Sequence, residues 1–274
     1  MKFTLVGSEG FIGSHLQQWL RDQRVDYDPV GRNDPSIFSR NLRHVIYCAG
    51  VTADFRQRPQ ETVDAHVCFA SRVLREARWE SFLYLSSTRI YTGATDSSED
   101  RPLVLDPVNS GDVYNASKIM GETLCLSTGR SNAKVVRLSN VVGCNYSSDD
   151  FLPSIVREAI ERGRVMFNTT LDSEKDYIAV EDVVKLLPQI AISGRHRVYN
   201  LASGRNTTNR ALANLLSEKT GCSIEVAANA RTVGFPLIAT SRVQHEFPFA
   251  PRPLAESLDE ILNGYTQWKT NAIR

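Results

Sequence analysis

The chain has 274 residues, 42% of them apolar and 23% charged, with 32 Lys and Arg set against 31 Asp and Glu. That length suffices for one large core or two unequal lobes, and a formal net charge of +1 gives neither the basic field that nucleic acid requires nor an acidic tail. No apolar run approaches the ~20 residues of a membrane span, the chain opens directly on a strand-like run without a signal-peptide pattern, and Cys48, Cys68, Cys125, Cys144 and Cys222 form no Cys-x-x-Cys pair. The expectations are therefore no nucleic acid, no membrane, no metal and no disulfide framework, in a reducing cytoplasm.

In chain order, β-like runs stand at Phe3–Val6, Val45–Ala49, Phe82–Ser86 and Val135–Leu138, with a weaker run at Val25–Val30 broken by Asp28 and Pro29. Between them, Phe11, Ile12, Leu16, Trp19 and Leu20 line one helical face. A second helix is predicted from Glu61 to Arg78, with Val63, Val67, Ala70, Val73, Leu74 and Ala77 on its apolar side. A third runs from Val113 to Leu126. The short polar link Gly31–Arg43 leaves little room for a crossover helix. Strands alternating with helices of this length predict a parallel sheet wound on both faces, an α/β fold.

After Gly143 the texture changes. Helices are predicted at Phe151–Arg162, Glu181–Ile192, Thr208–Lys219 and Leu254–Gly264, a strand at Arg197–Leu201, and irregular wrapping over Arg231–Pro253. The expected division is 1–143 as a nucleotide-binding domain and 144–274 as a smaller, mainly substrate-binding lobe, with some later segments returning to the first.

Gly7-Ser8-Glu9-Gly10-Phe11-Ile12-Gly13 follows the first strand and opens the first helix. In that setting Gly7 permits a tight turn, Gly10 lets backbone approach a pyrophosphate and Gly13 allows close packing of helix on sheet, as in a Rossmann-like dinucleotide site. The helix N-terminus favours the anion. Past the second strand, Arg32 suits the 2′-phosphate of NADP, whereas Asp28 suits the free ribose of NAD; NADP is preferred on this reading.

Tyr114-Asn115-Ala116-Ser117-Lys118 places Tyr114 and Lys118 four residues apart, on one helical face. A neighbouring ammonium stabilises a phenolate, so Tyr114 can exchange a proton with a carbinol while hydride moves to or from a nicotinamide. Ser86-Ser87-Thr88 ends the fourth strand at its carboxyl end, where open α/β sheets bind ligands.

Together with Tyr47-Cys48-Ala49-Gly50, Arg137-Leu138-Ser139-Asn140-Val141-Val142-Gly143, Lys175–Val183 and Tyr199–Gly204, these motifs resemble the extended short-chain dehydrogenase/reductases of the NAD-dependent epimerase/dehydratase type, over nearly the whole chain. The resemblance implies Tyr114 as acid/base, Lys118 as its electrostatic partner and Ser87 as the orienting hydroxyl, because it stands four residues before Tyr91, with Thr88 in reserve. Ala49 and Gly50 join the glycine turn in holding the cofactor. It also implies a nucleotide-diphosphate sugar as substrate and a homodimer paired through the segments Glu61–Arg78 and Val113–Leu126. Asn140 and Arg242 are the substrate-binding candidates, with Lys175, Arg205 and Arg231 as further cations. Phe235, Phe247 and Phe249 read as core packing, or alternatively as a stack for the base.

The sequence departs from the pattern at three places. Arg89 follows Ser87-Thr88, where sugar-nucleotide 4,6-dehydratases carry an Asp-Glu pair. His66 stands at a usual asparagine and His44 at a usual aspartate, both read as structural variation. Three functions follow: a ketosugar-nucleotide reductase, favoured; an epimerase that oxidises its substrate transiently; and a dinucleotide-binding sensor or scaffold without catalysis.

Overall fold

The structure, a computed structural model, describes residues 1–31, 34–52 and 54–272. Its centre is a six-stranded sheet in the order β2-β1-β3-β4-β5-β9, every neighbouring pair parallel. These strands are β1 (Lys2–Val6), β2 (Asp26–Val30), β3 (His44–Tyr47), β4 (Ser81–Ser87), β5 (Ala133–Leu138) and β9 (Val198–Leu201). The two-residue period of a strand sends its side chains to opposite faces. Phe3, Leu5, Ile46, Leu83, Leu85, Val136 and Leu138 share one core with α1 (Phe11–Asp22) and α6 (Val180–Ser193). Val6, Val45, Tyr47, Phe82, Tyr84 and Val135 share the other with Ala70, Val73 and Cys125. Burial on both faces explains why the inner strands are continuous apolar runs. The broken run at Asp28-Pro29 is a strand because β2 lies at the sheet edge, where proline's missing N–H is tolerated.

The link after β2 holds a one-turn helix, Pro35–Phe38, capped by the Asp34 carboxylate, which accepts from Ser36 N–H at 2.9 Å. The predicted helix Glu61–Arg78 is instead three pieces: α2 (Pro59–Val63), a π-turn over Asp64–Cys68, and α3 (Phe69–Glu76). The wide turn rotates the faces, so Thr62, Ala65, His66, Ala70 and Val73 are buried while Val63, Val67 and Leu74 are half-buried. Two sheet tyrosines hold it: Tyr47 Oη donates to the Ala65 carbonyl at 2.6 Å and Tyr84 Oη to the His66 carbonyl at 2.9 Å. The next long helix, α4 (Val113–Ser127), lies hard against this turn. A β-carbon at its Gly121 would stand 2.7 Å from the His66 carbonyl and collide with the Tyr84 hydroxyl.

Beyond Gly143 the chain builds a second core among α5 (Phe151–Arg162), β7 (Arg164–Thr169), α7 (Asn209–Thr220), β11 (Ser223–Arg231) and α9 (Leu254–Ala272). A three-stranded sheet, β10-β8-β6, comprises β6 (Asn140–Val142), β8 (Glu174–Ala179) and β10 (Asn206–Thr208), while β11 pairs with β7. None of these five strands was expected. α6 and β9 return to the first core and the large sheet. The wrapping after Arg231 contains one short helix, α8 (Ser241–Glu246). The last helix runs past Gly264, which packs against the Tyr146 hydroxyl rather than ending it. Among the described residues no helix is long and apolar enough to cross a membrane.

Candidate active site

A cleft of about 570 Å³ opens over the carboxyl ends of the central strands, between the large sheet and the second core. Its floor is reached by Gly10, Phe11 and Ile12 of the glycine turn. Gly7 has φ +85°, a left-handed conformation, and a β-carbon there would stand 2.6 Å from the Ala49 backbone. A β-carbon at Gly13 would strike the Gly7 carbonyl and stand 2.8 Å from Ser8 Cα. Ser8 is buried, its carbonyl accepting from Gln17 Nε2 at 2.8 Å. The α1 N-terminus has no side-chain cap, which leaves its first N–H groups facing the cleft. This backbone cradle fits the requirements of a dinucleotide pyrophosphate, and Gly10, Phe11, Ile12 and Gly50 all line the cleft. Glu9 is exposed and lies outside the lining; Ala49 acts through its packing on Gly7. Arg32 lies outside the described residues. Asp28 pairs with Arg40 at 3.1 Å, two residues short of the strand's carboxyl end.

Tyr114, Lys118, Ser87 and Thr88 all line this cleft. Tyr114 and Lys118 rise from successive turns of α4, and β4 ends at Ser87, so one helix face meets one strand end. The Tyr114 hydroxyl and the Ser87 side chain face each other across the cleft floor. Burial pushes the Tyr114 phenol above its ordinary range, while Ser87 and the Arg89 charge act against that. Lys118 Nζ donates to the Leu85 carbonyl at 2.9 Å and stands 5.9 Å from the Tyr114 ring centre. Ser86 Oγ, Ser139 Oγ and Arg89 Nε are buried polar atoms without a partner, and all three residues line the cleft; such atoms mark a place where a polar ligand completes the bonding.

His66 is buried beside Tyr114, ring to ring at 5.3 Å. Its Nε2 accepts from Val51 N–H at 3.3 Å, so the proton sits on Nδ1, which donates to Ser117 Oγ at 2.8 Å. Ser117 in turn donates to the Tyr114 carbonyl at 2.8 Å. Burial first, then the Lys118 charge, push His66 down to about 2, so it stays neutral. His44 contacts Ser81 at 3.0 Å on the far end of the sheet.

On the other wall, Asn140 lines the cleft while its amide donates to the Asp176 carbonyl at 2.8 Å. Lys175 also lines it, 4.6 Å over the Phe151 ring. Arg242 does not line the cleft: its guanidinium donates to the Val198 carbonyl at 3.0 Å and pairs with Asp100 and Glu99, so its charge is used inside the fold. Arg205 and Arg231 are outside the lining as well. Phe235 lines the cleft, while Phe247 packs on Tyr199 and Phe249 on the first core. The sequence reading passed over Phe55, Arg56 and Arg89 as site residues, although all three line the cleft. Residue type alone gives no signal for Phe55 or Arg56, but Arg89 was visible as a departure from the pattern.

A family model described as the NAD dependent epimerase/dehydratase family matches residues 3–202. The chain belongs to that family. It is accordingly an enzyme of the extended short-chain dehydrogenase/reductase type, in a family of nucleotide-sugar epimerases and dehydratases. A dTDP-glucose 4,6-dehydratase of Streptomyces griseus is 27% identical over 196 residues, covering 68% of this chain and 58% of that protein. This family member thus spans less than two thirds of that relative's length. Among solved structures, MoeE5 in complex with UDP-glucuronic acid and NAD is 21% identical with a TM-score of 0.79, covering 98% of this chain and all 100% of the other. RMD from Pseudomonas aeruginosa complexed with NADPH is 21% identical with a TM-score of 0.78, over 97% and 99% of the two chains. These likenesses establish the shared fold.

Burial lowers Lys118 from 10.5 to about 7, with Glu122 and Cys48 opposing the shift. The group is then neutral in the folded protein and charged in the unfolded chain between those two values, so its contribution to stability rises as pH climbs through that window and is least favourable below it. Lys118→Met removes the penalty. The variant's melting temperature should exceed the wild type's most at about pH 6 and the gap should shrink above about pH 8; a gap that grows with pH would contradict the assignment.

Proposed function

We propose that the protein reduces a keto group on a nucleotide-linked sugar, with NADP(H) as the exchangeable cofactor. The observation that carries this reading is one cleft in which the glycine turn meets Tyr114, Lys118 and Ser87, with no carboxylate among the described residues hydrogen-bonded to Tyr114. When bound, the reduced nicotinamide supplies hydride to the carbonyl carbon. Ser87 Oγ donates to the carbonyl oxygen and fixes its position. Tyr114 Oη gives up its proton to that oxygen, so the carbonyl becomes a hydroxyl and the phenol a phenolate. The phenolate forming on Tyr114 favours the ammonium form of Lys118, which in turn stabilises that charge, and the remaining N–H groups of Lys118 would face the nicotinamide ribose. Gly10, Phe11 and Ile12 hold the pyrophosphate through backbone N–H groups.

Dehydration, the activity named for the Streptomyces griseus relative, needs a carboxylate beside the catalytic hydroxyl to take a proton from carbon. Here Thr88-Arg89 occupy that place. The buried Asp176 is held by Ser203 Oγ at 2.9 Å and by the backbone of Ser203 and Arg205. For the cofactor, Asp28 is engaged by Arg40, which leaves Arg32 as the residue type that answers a 2′-phosphate.

Denaturing the purified protein and identifying any released dinucleotide tests this. The expected result is little released cofactor and tight binding of added NADPH. Near-stoichiometric release of NAD would instead support an epimerase, in which the cofactor is recycled within each turnover. We further propose a homodimer formed through the α2–α3 segment and α4, on whose outer surface Met120 is 50% exposed. Sedimentation should give twice the 30.6 kDa chain mass, and Met120→Lys should shift it toward monomer; a monomeric wild type would remove the proposal.

A further inference from the structure

Besides Lys118, three cations line the cleft on the side of Tyr114 or facing it: Arg56, Arg89 and Lys175. Among the described residues none of them has an ion-pair partner. Their neighbours are aromatic rings instead. The Arg89 guanidinium stands 5.2 Å from the Phe55 ring centre and 5.9 Å from that of Tyr114, Arg56 stands 4.6 Å from Phe55, and Lys175 stands over Phe151. The carboxylates nearby are already used. Asp149 pairs with Arg157 at 3.0 Å, Asp150 accepts from Ser148 Oγ at 2.9 Å, and Asp112 accepts from Asp106 N–H and Asn109 Nδ2, each at 3.3 Å.

Arg89 is the most confined of the three. It is half-buried, its Nε is buried without a partner, and its backbone N–H donates to Ser87 Oγ at 3.2 Å. The Arg89 backbone is thereby tied to the Ser87 side chain at the end of β4. Burial, then the charge of Arg56, disfavour the ionised form of its side chain, against the weaker opposing pull of Tyr114 and Asp112, and Lys175 feels its charge in turn. A partly buried guanidinium without a directly paired carboxylate is incompletely compensated, and its planar fork of donors matches a carboxylate.

We propose that Arg89 is a specificity-determining residue that receives a carboxylate borne by the sugar next to the carbon served by Tyr114, so that the substrate is a nucleotide-linked sugar acid rather than a neutral hexose. The inference rests on the reading of the site as one for a nucleotide-linked sugar and names the substrate class within it. With Lys118 assigned to Tyr114 and the cofactor, Arg89 is the remaining cation at the reacting end of the cleft, because it follows Ser87 by two residues and faces the Tyr114 ring. Lys175 and Asn140, on the opposite wall, are left to the diphosphate, which most of a sugar ring separates from the reacting carbon.

The test is a set of calorimetric titrations of the full chain, with NADP added, by UDP, UDP-glucose and UDP-glucuronic acid. A charge-assisted pair predicts that the wild type binds the acid about 10- to 100-fold more tightly than the neutral sugar. In Arg89→Met that preference should collapse to near unity, with UDP and UDP-glucose affinities unchanged. Arg89→Lys should keep part of it, and unchanged melting curves show that the variants fold. Equal affinity of the wild type for acid and neutral sugar overturns the proposal. So does an Arg89→Met variant that loses UDP and UDP-glucose equally, since Arg89 would then serve the diphosphate. If UDP itself fails to bind, the nucleotide-sugar reading falls, and free glucuronate against free glucose decides the inference alone. A thermal shift specific to glucuronate and lost in Arg89→Met upholds an anion site at Arg89; no such shift overturns it.

Discussion

Tyr114→Phe should lower kcat/KM for ketosugar reduction by about 100- to 10,000-fold, the usual span for loss of a positioned proton donor, while leaving dinucleotide affinity unchanged. The substitution removes one oxygen and nothing else. The ring remains packed against Phe55 at 5.0 Å and His66 at 5.3 Å, and the cofactor turn, on the other side of the cleft, is untouched. Without the hydroxyl, hydride transfer would leave an alkoxide with only Ser87 beside it. Initial rates of NADPH oxidation, paired with fluorescence titration of NADPH, separate the two quantities. Turnover near the wild-type rate would mean that another group delivers the proton; parallel loss of NADPH binding would mean that Tyr114 is structural. Ser87→Ala should have a smaller effect, because it removes an orienting hydrogen bond and leaves the donor in place.

Glu122→Ala should destabilise the fold by about 3–5 kcal/mol, the loss expected when one partner of a buried ion pair is removed. Glu122 and Arg137 are 4% and 5% exposed in their side chains and joined at 2.7 Å through Nη2, with Nε at 3.0 Å from the second oxygen. Arg137 also donates to Tyr91 Oη at 2.6 Å and to the Glu99 carbonyl at 3.1 Å, and Tyr91 donates to Asn200 Oδ1 at 2.9 Å. Removing the carboxylate therefore leaves a buried guanidinium uncompensated and loosens a network linking α4, β5 and β9. Urea denaturation of Glu122→Ala and Glu122→Gln measures this, and the glutamine should retain part of the loss as hydrogen bonding. A change under about 1 kcal/mol for alanine would show that water reaches Arg137. Since Glu122 lies one helical turn beyond Lys118, the pair also fixes how far α4 can slide beneath the candidate site.

The elements that could be read from sequence are those whose side chains are buried on both sides. β1, β3, β4 and β5 are plain apolar runs, and α1, α5, α6 and α7 carry clear periodic faces. Four of the five strands of the smaller lobe escaped because their signal is weak: β7 buries only Val165 and Phe167, β11 is largely exposed, and β6 and β10 have three residues each; β8 opens on three charged residues, Glu174-Lys175-Asp176, which mask its buried end. The break in the predicted helix Glu61–Arg78 has a tertiary cause, the tyrosines Tyr47 and Tyr84 pulling on the carbonyls of the π-turn, and nothing local announces it. At the site, motifs tied to strand ends and one helix face located Gly10, Ser87, Tyr114 and Lys118. Arg242 was misplaced because a cation's residue type does not reveal whether Asp100, Glu99 and a strand carbonyl already hold it. Arg89 drew notice only as a substitution, since its lack of an ion-pair partner among the described residues becomes visible when its neighbours are known.

The close seating of Gly121 against the π-turn bears on how such a cleft diversifies. One wall consists of strand ends and a helix locked at its backbone, so the geometry of Tyr114 and Lys118 tolerates little drift. The facing wall, around Asn145–Pro153 and Phe235–Ile238, is carried by connecting segments and the edge of a separate core. Substitutions in that second wall can therefore reshape the cleft with little strain on the backbone that carries Ser87, Arg89, Tyr114 and Lys118.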